Sequence, residues 1–122
     1  FSQTLKTNGF KTWLTLHYSD TWTDPGHQET PIQWQGISFT ALKDSVYKYT
    51  EKIVSKLQPD YIQIGNEINS GFLHPYGHIS NNFQQYKELT NTAILSVRTN
   101  TKDTEIILHF ALHCLAINIK LE

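Results

Sequence analysis

Asp60-Tyr61-Ile62-Gln63-Ile64-Gly65-Asn66-Glu67-Ile68 is the stretch that decides the fold. Tyr61, Ile62 and Ile64 favour an extended, half-buried backbone. Pro59 stops whatever precedes the run, because it biases the residue before it away from helix. Gly65 marks a bend or a close approach. The stretch reads as one buried strand over 60–67 that ends by presenting a carboxylate. Asn66 and Glu67 fall at the carboxyl end of that strand, where α/β folds place their ligands. A glutamate there can protonate a departing oxygen, and an asparagine beside it can hold a hydroxyl, which is the chemistry glycoside hydrolysis needs. The same letters also occur at plain strand-to-turn junctions, so the neighbouring segments decide.

Upstream, Leu42, Val46, Tyr49, Ile53 and Leu57 recur at helical spacing and predict a helix over 40–57, with Thr40 as its N-cap. Before it lies a segment, 19–39, too long for an ordinary connection; it carries Asp24-Pro25-Gly26, Pro31, Gly36, Trp22 and Trp34. Disordered loops are poor in tryptophan, so this one reads as a binding loop. It leaves a near-continuous apolar run, 11–18, that predicts a strand buried on both faces. Residues 1–8 predict the tail of a helix, ended by Asn8-Gly9. Downstream, 69–81 reads as a second irregular loop, 82–100 as a helix with Arg98 in its last turn, and 105–110 as a third strand.

The order helix, strand, helix, strand, helix, strand predicts right-handed crossovers and a parallel sheet. An open doubly wound sheet and a closed (β/α)8 barrel both satisfy it. The connections after strands are long and rich in Trp, His, Gly and Pro, whereas those before strands are short. That asymmetry predicts a ligand-binding rim at the strands' carboxyl ends.

Composition narrows the function. The 122 residues suit one small domain, and the net charge of −1 offers no basic footprint for nucleic acid or an anionic membrane. No apolar run approaches membrane-spanning length, and no signal peptide is visible. Cys114, the single cysteine, has no partner for a disulfide or a zinc motif. His74 and His78 have the spacing of a helical zinc pair, but Pro75 and Gly77 between them argue against a helix. No metal and no cofactor is expected. The chain contains no methionine and opens on Phe1, which predicts a piece of something longer or a processed product.

At this point a resemblance enters. Leu16-His17-Tyr18-Ser19-Asp20-Thr21-Trp22-Thr23-Asp24-Pro25-Gly26 resembles the signature after the third barrel strand of family 53 glycoside hydrolases, the endo-β-1,4-galactanases that cleave the galactan side chains of pectin. Ile64-Gly65-Asn66-Glu67-Ile68-Asn69-Ser70-Gly71-Phe72-Leu73 resembles the region of that family's fourth strand, and Pro75 and Gly77 match the loop beyond it. The likeness covers roughly residues 1–111. It implies an α/β fold forming a portion of a (β/α)8 TIM barrel, about strands three to five of eight, and a retaining mechanism. Glu67 matches the general acid/base and Asn66 the residue that binds the 2-hydroxyl at the cleavage subsite. His17 would line the same subsite. Trp22 and Asp24 would shape the cleft. His109, at the end of the third strand, is as well suited to a structural role as to substrate.

Two departures accompany the likeness. The family's nucleophile is a second glutamate after a later strand, and no remaining acid of this chain ends such a strand. Residues 112–122 also depart from the family pattern and read as an atypical tail. The expectation is therefore a fragment of a secreted or periplasmic endo-β-1,4-galactanase, with the polysaccharide β-1,4-galactan as partner, carrying the acid/base without the nucleophile. Rival readings are an inactive gene fragment, a non-catalytic carbohydrate-binding remnant, or a related β-glycanase acting on another polymer.

Overall fold

The computed structural model describes residues 2–112. The expected tail, 112–122, lies outside them except for Leu112. Helix α1 (Ser2–Thr7) leads into strand β1 (Trp13–Leu16). Helix α2 (Phe39–Leu57) and strand β2 (Tyr61–Ile64) follow, then a small hairpin of β3 (Gly71–Phe72) and β4 (Gly77–His78). Helix α3 (Ile79–Asn100) and strand β5 (Glu105–Ile107) complete the described chain.

β1, β2 and β5 form one parallel sheet with β2 in the middle. The register pairs Leu14 with Ile62 and Leu16 with Ile64 on one side, and Ile62 with Ile106 on the other. Because side chains alternate along a strand, these apolar residues share one face. Leu42, Val46 and Val54 of α2 and Leu89, Ala93 and Val97 of α3 join them in a single buried cluster. The opposite face carries Trp13, Tyr61 and Gln63. Trp13 and Tyr61 lie ring to ring at 6.4 Å. Helices on one face and large side chains on the other are what a barrel wall requires.

The sheet's two rims differ. At the rim where strands begin, Thr12 donates its backbone N–H and its hydroxyl to Asp60 Oδ2 at 2.8 and 3.0 Å, tying β1 to β2. Thr104 donates to the Pro59 carbonyl at 2.7 Å and ties β5 to the same place. These contacts give Asp60 a structural role at that rim. At the other rim the chain leaves the sheet into 17–38, 65–78 and 108–112.

Several boundaries move from expectation. The ladder of the central strand ends at Ile64, because Gly65 turns the chain with φ +72°. The N-cap of α2 is Ser38, not Thr40: Ser38 is extended and its Oγ accepts the Ala41 N–H at 3.2 Å, while Thr40 already lies within the helix. α3 begins at Ile79, three residues before the expected start, and crosses a non-helical Asn82 (φ −140°, ψ 51°). The hairpin was also unforeseen. Its two-residue strands are too short for an alternation signal, and Gly71 and Gly77 permit a backbone approach closer than any side chain allows.

Candidate functional site

The segments leaving β1, β2 and β5 meet around Asn66. Three left-handed residues shape the meeting point. Gly65 (φ +72°) turns the chain off β2, and a Cβ there would lie 2.4 Å from Ile68 Cγ2. Glu67 (φ 50°, ψ 49°) is left-handed without being glycine, which is uncommon and costs energy. Tyr18 (φ 54°) does the same after β1. Its ring is buried against Phe72 at 5.5 Å and its hydroxyl donates to Thr50 Oγ1 at 2.7 Å. Burial pushes the Tyr18 phenol above its ordinary range.

Asn66 is held from three sides: by the loop after β1, by β2 itself and by the segment after β5. Its Nδ2 donates to the Thr23 carbonyl at 2.8 Å. Its Oδ1 accepts from Gln63 Nε2 and from His109 Nδ1, both at 3.0 Å. Both lone pairs of Oδ1 are thus occupied, and among the described residues one Nδ2 hydrogen has no acceptor. Gln63, 4% exposed in the middle of an apolar strand, also donates to the Gly65 carbonyl at 2.9 Å. His109 offers its Nδ1 proton inward, since the Asn66 oxygen can only accept.

Gln28 supports the backbone from below. It is 1% exposed, and its Nε2 donates to the carbonyls of Asp24 (2.9 Å), Asn66 (2.8 Å) and Glu67 (3.3 Å). Three carbonyl acceptors fix which end of the amide is nitrogen. One side chain therefore clamps the long first loop onto the turn that carries Glu67. The Glu67 side chain makes no capping bond to the 3-10 turn Ile68–Ser70 that follows it. Asn69 closes the third side by exchanging two hydrogen bonds with Ala111, each 2.8 Å.

His17 sits at the end of β1. The Thr23 backbone N–H donates to its Nδ1 at 3.1 Å, so a neutral ring carries its proton on Nε2. Burial holds its pKa below the ordinary value of 6.5. Its ring lies 4.7 Å from that of Trp22, which is 76% exposed and stands as an open platform. Asp24 is placed differently from the rest. Its carboxylate accepts from the Gly26 N–H at 2.7 Å and from the His27 ring at 2.9 Å. That ring and the Gly26 amide hold its pKa below the usual carboxylate value. Asp24 therefore acts on the shape of the loop.

Of the five residues singled out from sequence, His17, Asn66 and Glu67 converge at one rim, Trp22 flanks His17, and Asp24 turns the loop. Thr23, Gln28, Gln63, Asn69 and His109 supply the supporting bonds. Among the described residues no group of three or more His, Cys, Asp or Glu is arranged to hold a metal ion. The rings of His74 and His78 lie 4.6 Å apart, tilted by 41°.

A three-stranded parallel sheet with its helices on one face and its polar cluster at the strands' carboxyl ends is a sector of a (β/α)8 barrel. Comparison with known proteins gives that sector a family. The profile described as "Glycosyl hydrolase family 53" matches residues 1–116. The arabinogalactan endo-beta-1,4-galactanase of Cellvibrio japonicus is 36% identical over 119 residues, covering 87% of this chain and 32% of that protein. The "Probable arabinogalactan endo-beta-1,4-galactanase A" of Aspergillus flavus is 34% identical over 108 residues, covering 83% of this chain and 31% of that protein. Among solved structures, the Ignisphaera aggregans GH53 catalytic domain superposes with a TM-score of 0.85 at 36% identity, covering 90% of this chain and 32% of that one. The chain belongs to glycosyl hydrolase family 53. It spans about a third of the length of the relatives it matches.

Proposed function

We propose that this chain supplies the acid/base half of a retaining endo-β-1,4-galactanase site, acting on the β-1,4-galactan of type I arabinogalactan in pectin, in an exported protein. In a site completed by a second carboxylate that takes up the sugar as a glycosyl-enzyme, Glu67 would protonate the leaving glycosidic oxygen and then take a proton from the water that releases the sugar. Asn66 donates its one free N–H to the sugar 2-hydroxyl. The neutral His17 directs Nε2–H toward the same sugar, and Trp22 offers a ring face to a pyranose. The observation that carries the reading is Asn66. Four neighbours, Thr23, Gln28, Gln63 and His109, fix it and the residue after it, so that among the described residues one donor hydrogen and one uncapped carboxylate remain for a ligand. Preorganised donors of this kind cost little reorganisation at the moment of reaction.

A retaining mechanism also needs a second carboxylate about 5–5.5 Å from the first. None of the hydrogen bonds around Asn66 involves one, and in this reading the nucleophile is absent from the chain. The chain then binds galactan without cutting it. Affinity electrophoresis in β-1,4-galactan gels, with a reducing-end assay on the same samples, tests both halves. Retardation in galactan but not in mannan, lost in Trp22→Ala, is the expected result. Release of reducing ends that survives Glu67→Gln would remove Glu67 from the mechanism. Migration indifferent to galactan would remove the substrate.

A further inference from the structure

We infer that the flank of the barrel sector carries a second sugar site, separate from the one at the strand ends. It is a cavity of about 160 Å³ between the long first loop and α2, lined chiefly by Ser19, Asp20, Gln33, Trp34 and Tyr49. None of the side chains that gather around Asn66 lines it. Tyr18, its buried floor, follows His17 directly, but its left-handed backbone turns the ring toward α2.

Size and walls define the ligand. The volume is well below the roughly 300–1,000 Å³ of sites for drug-sized molecules, and suits a single ring. Trp34 and Tyr49 meet edge to face, centroids 5.8 Å apart and planes at 82°. Two aromatic walls at a right angle let a pyranose lay its C–H face on one and its edge on the other. At the lip, Asp20 Oδ2 accepts the Ile32 backbone N–H at 2.8 Å, which pins the carboxylate in place. Its other oxygen, without a hydrogen bond among the described residues, can accept a ligand hydroxyl. The exposed Gln33 adds an amide that both donates and accepts. A ring bearing several hydroxyls uses all of these groups at once. An alkylammonium ion would be drawn to the aromatic rings and to Asp20, but it has no use for the amide's donor or the serine hydroxyl. The carboxylate disfavours anions. The class selected is a neutral pyranose unit of a β-linked glycan, so the site would hold a second stretch of the polymer beside the flank. This rests on the polysaccharide reading above, and the two can be tested apart.

The test is an ¹⁵N NMR titration of the chain with β-1,4-galactobiose, cellobiose and tetramethylammonium. The Trp34 indole reports on the flank and the Trp22 indole on the strand ends. A saturable Trp34 shift with either disaccharide is expected. Asp20→Asn or Gln33→Ala should weaken it about tenfold, the equivalent of one lost hydrogen bond to a charged or amide group, with the Trp22 response unchanged. Both side chains lie on the surface, so neither variant threatens the fold as Trp34→Ala would. A Trp34 indole silent to both sugars overturns the flank site, and so does one that moves only with tetramethylammonium. A Trp22 indole that ignores galactobiose while Trp34 responds overturns the strand-end reading instead.

Discussion

Two histidines of the same loop are pushed in opposite directions. His17 is partly buried, and desolvation lowers its pKa. His27 is exposed, and its hydrogen bond to Asp24 raises it. An NMR titration should place His17 below 6.5 and His27 above it. At neutral pH His17 should show an unprotonated Nδ1 and a protonated Nε2. Asp24→Asn should return His27 to about 6.5 and leave His17 where it was; a His27 midpoint unmoved by that change would dissociate the pair. The sign for stability follows. Asp24, depressed, supports the fold above its unfolded value near 3.8 and loses that support as acid protonates it. His27, raised, supports the fold below 6.5 and loses that support as the pH climbs through its folded pKa. The turn is firmest between those limits. Sequence pointed to Asn66 and Glu67 because Gly-Asn-Glu at a strand end suits glycoside chemistry once the neighbouring segments agree, and to His17 only through the family resemblance. Gln28 and Gln63 were illegible. A buried amide matters through the carbonyls it meets, and those come from residues up to 39 positions away.

The β3–β4 hairpin depends on the absence of two side chains. A Cβ on Gly71 would lie 1.9 Å from the Gly77 carbonyl oxygen, and Gly71 holds φ +97°. Gly71→Ala must therefore break the backbone approach as well as adopt a forbidden conformation. We expect a loss of about 3 kcal/mol or more, read as a lower urea midpoint; a midpoint within experimental error of the parent would mean that the strands do not approach so closely. The opposite rim makes a second prediction. The Thr12 N–H donating to Asp60 is the main cause of that carboxyl's lowered pKa, aided by the Thr12 hydroxyl, Lys6 and Lys11. Asp60→Asn should lower the melting temperature at pH 7. The gap should narrow as the pH falls below 4, where the native carboxylate itself takes up a proton; a constant gap would place the role of Asp60 elsewhere. These elements also show what periodicity can see. The 40–57 helix was legible because apolar residues recur over about four turns, and the structure moves its start by only one residue. The third strand was expected over 105–110 and pairs only over Glu105–Ile107, since an apolar run does not record where its ladder stops.

At the scale of the whole molecule, the sheet of the described residues ends twice. β1 and β5 are its edges among the described residues, and β2 alone is paired on both sides. A (β/α)8 barrel abolishes such edges by closure, and three strands cannot close. β1 spends the carbonyls of Thr12 and Leu16 on β2, with Tyr61 and Gly65 as donors at 2.9 and 2.8 Å. The alternation of a parallel ladder then turns the polar groups of Trp13 and Thr15 outward. Large apolar groups stand beside them: Phe10 is 62% and Trp13 63% exposed, and Phe110 at the other end of the sheet is 48% exposed. An unpaired row of amides next to exposed aromatic rings is a template for another strand. We therefore expect the isolated chain to be marginally stable and to associate, with sedimentation velocity showing larger species as concentration rises over a hundredfold range. The association should be edge to edge. Thr15→Lys places a charge where an incoming strand would lie and should shift the distribution toward monomer, whereas Lys48→Thr on the exposed side of α2 should not. A sharp, cooperative melt independent of concentration would show instead that α2, α3 and the buried cluster between them and the sheet stabilise the sector without closure.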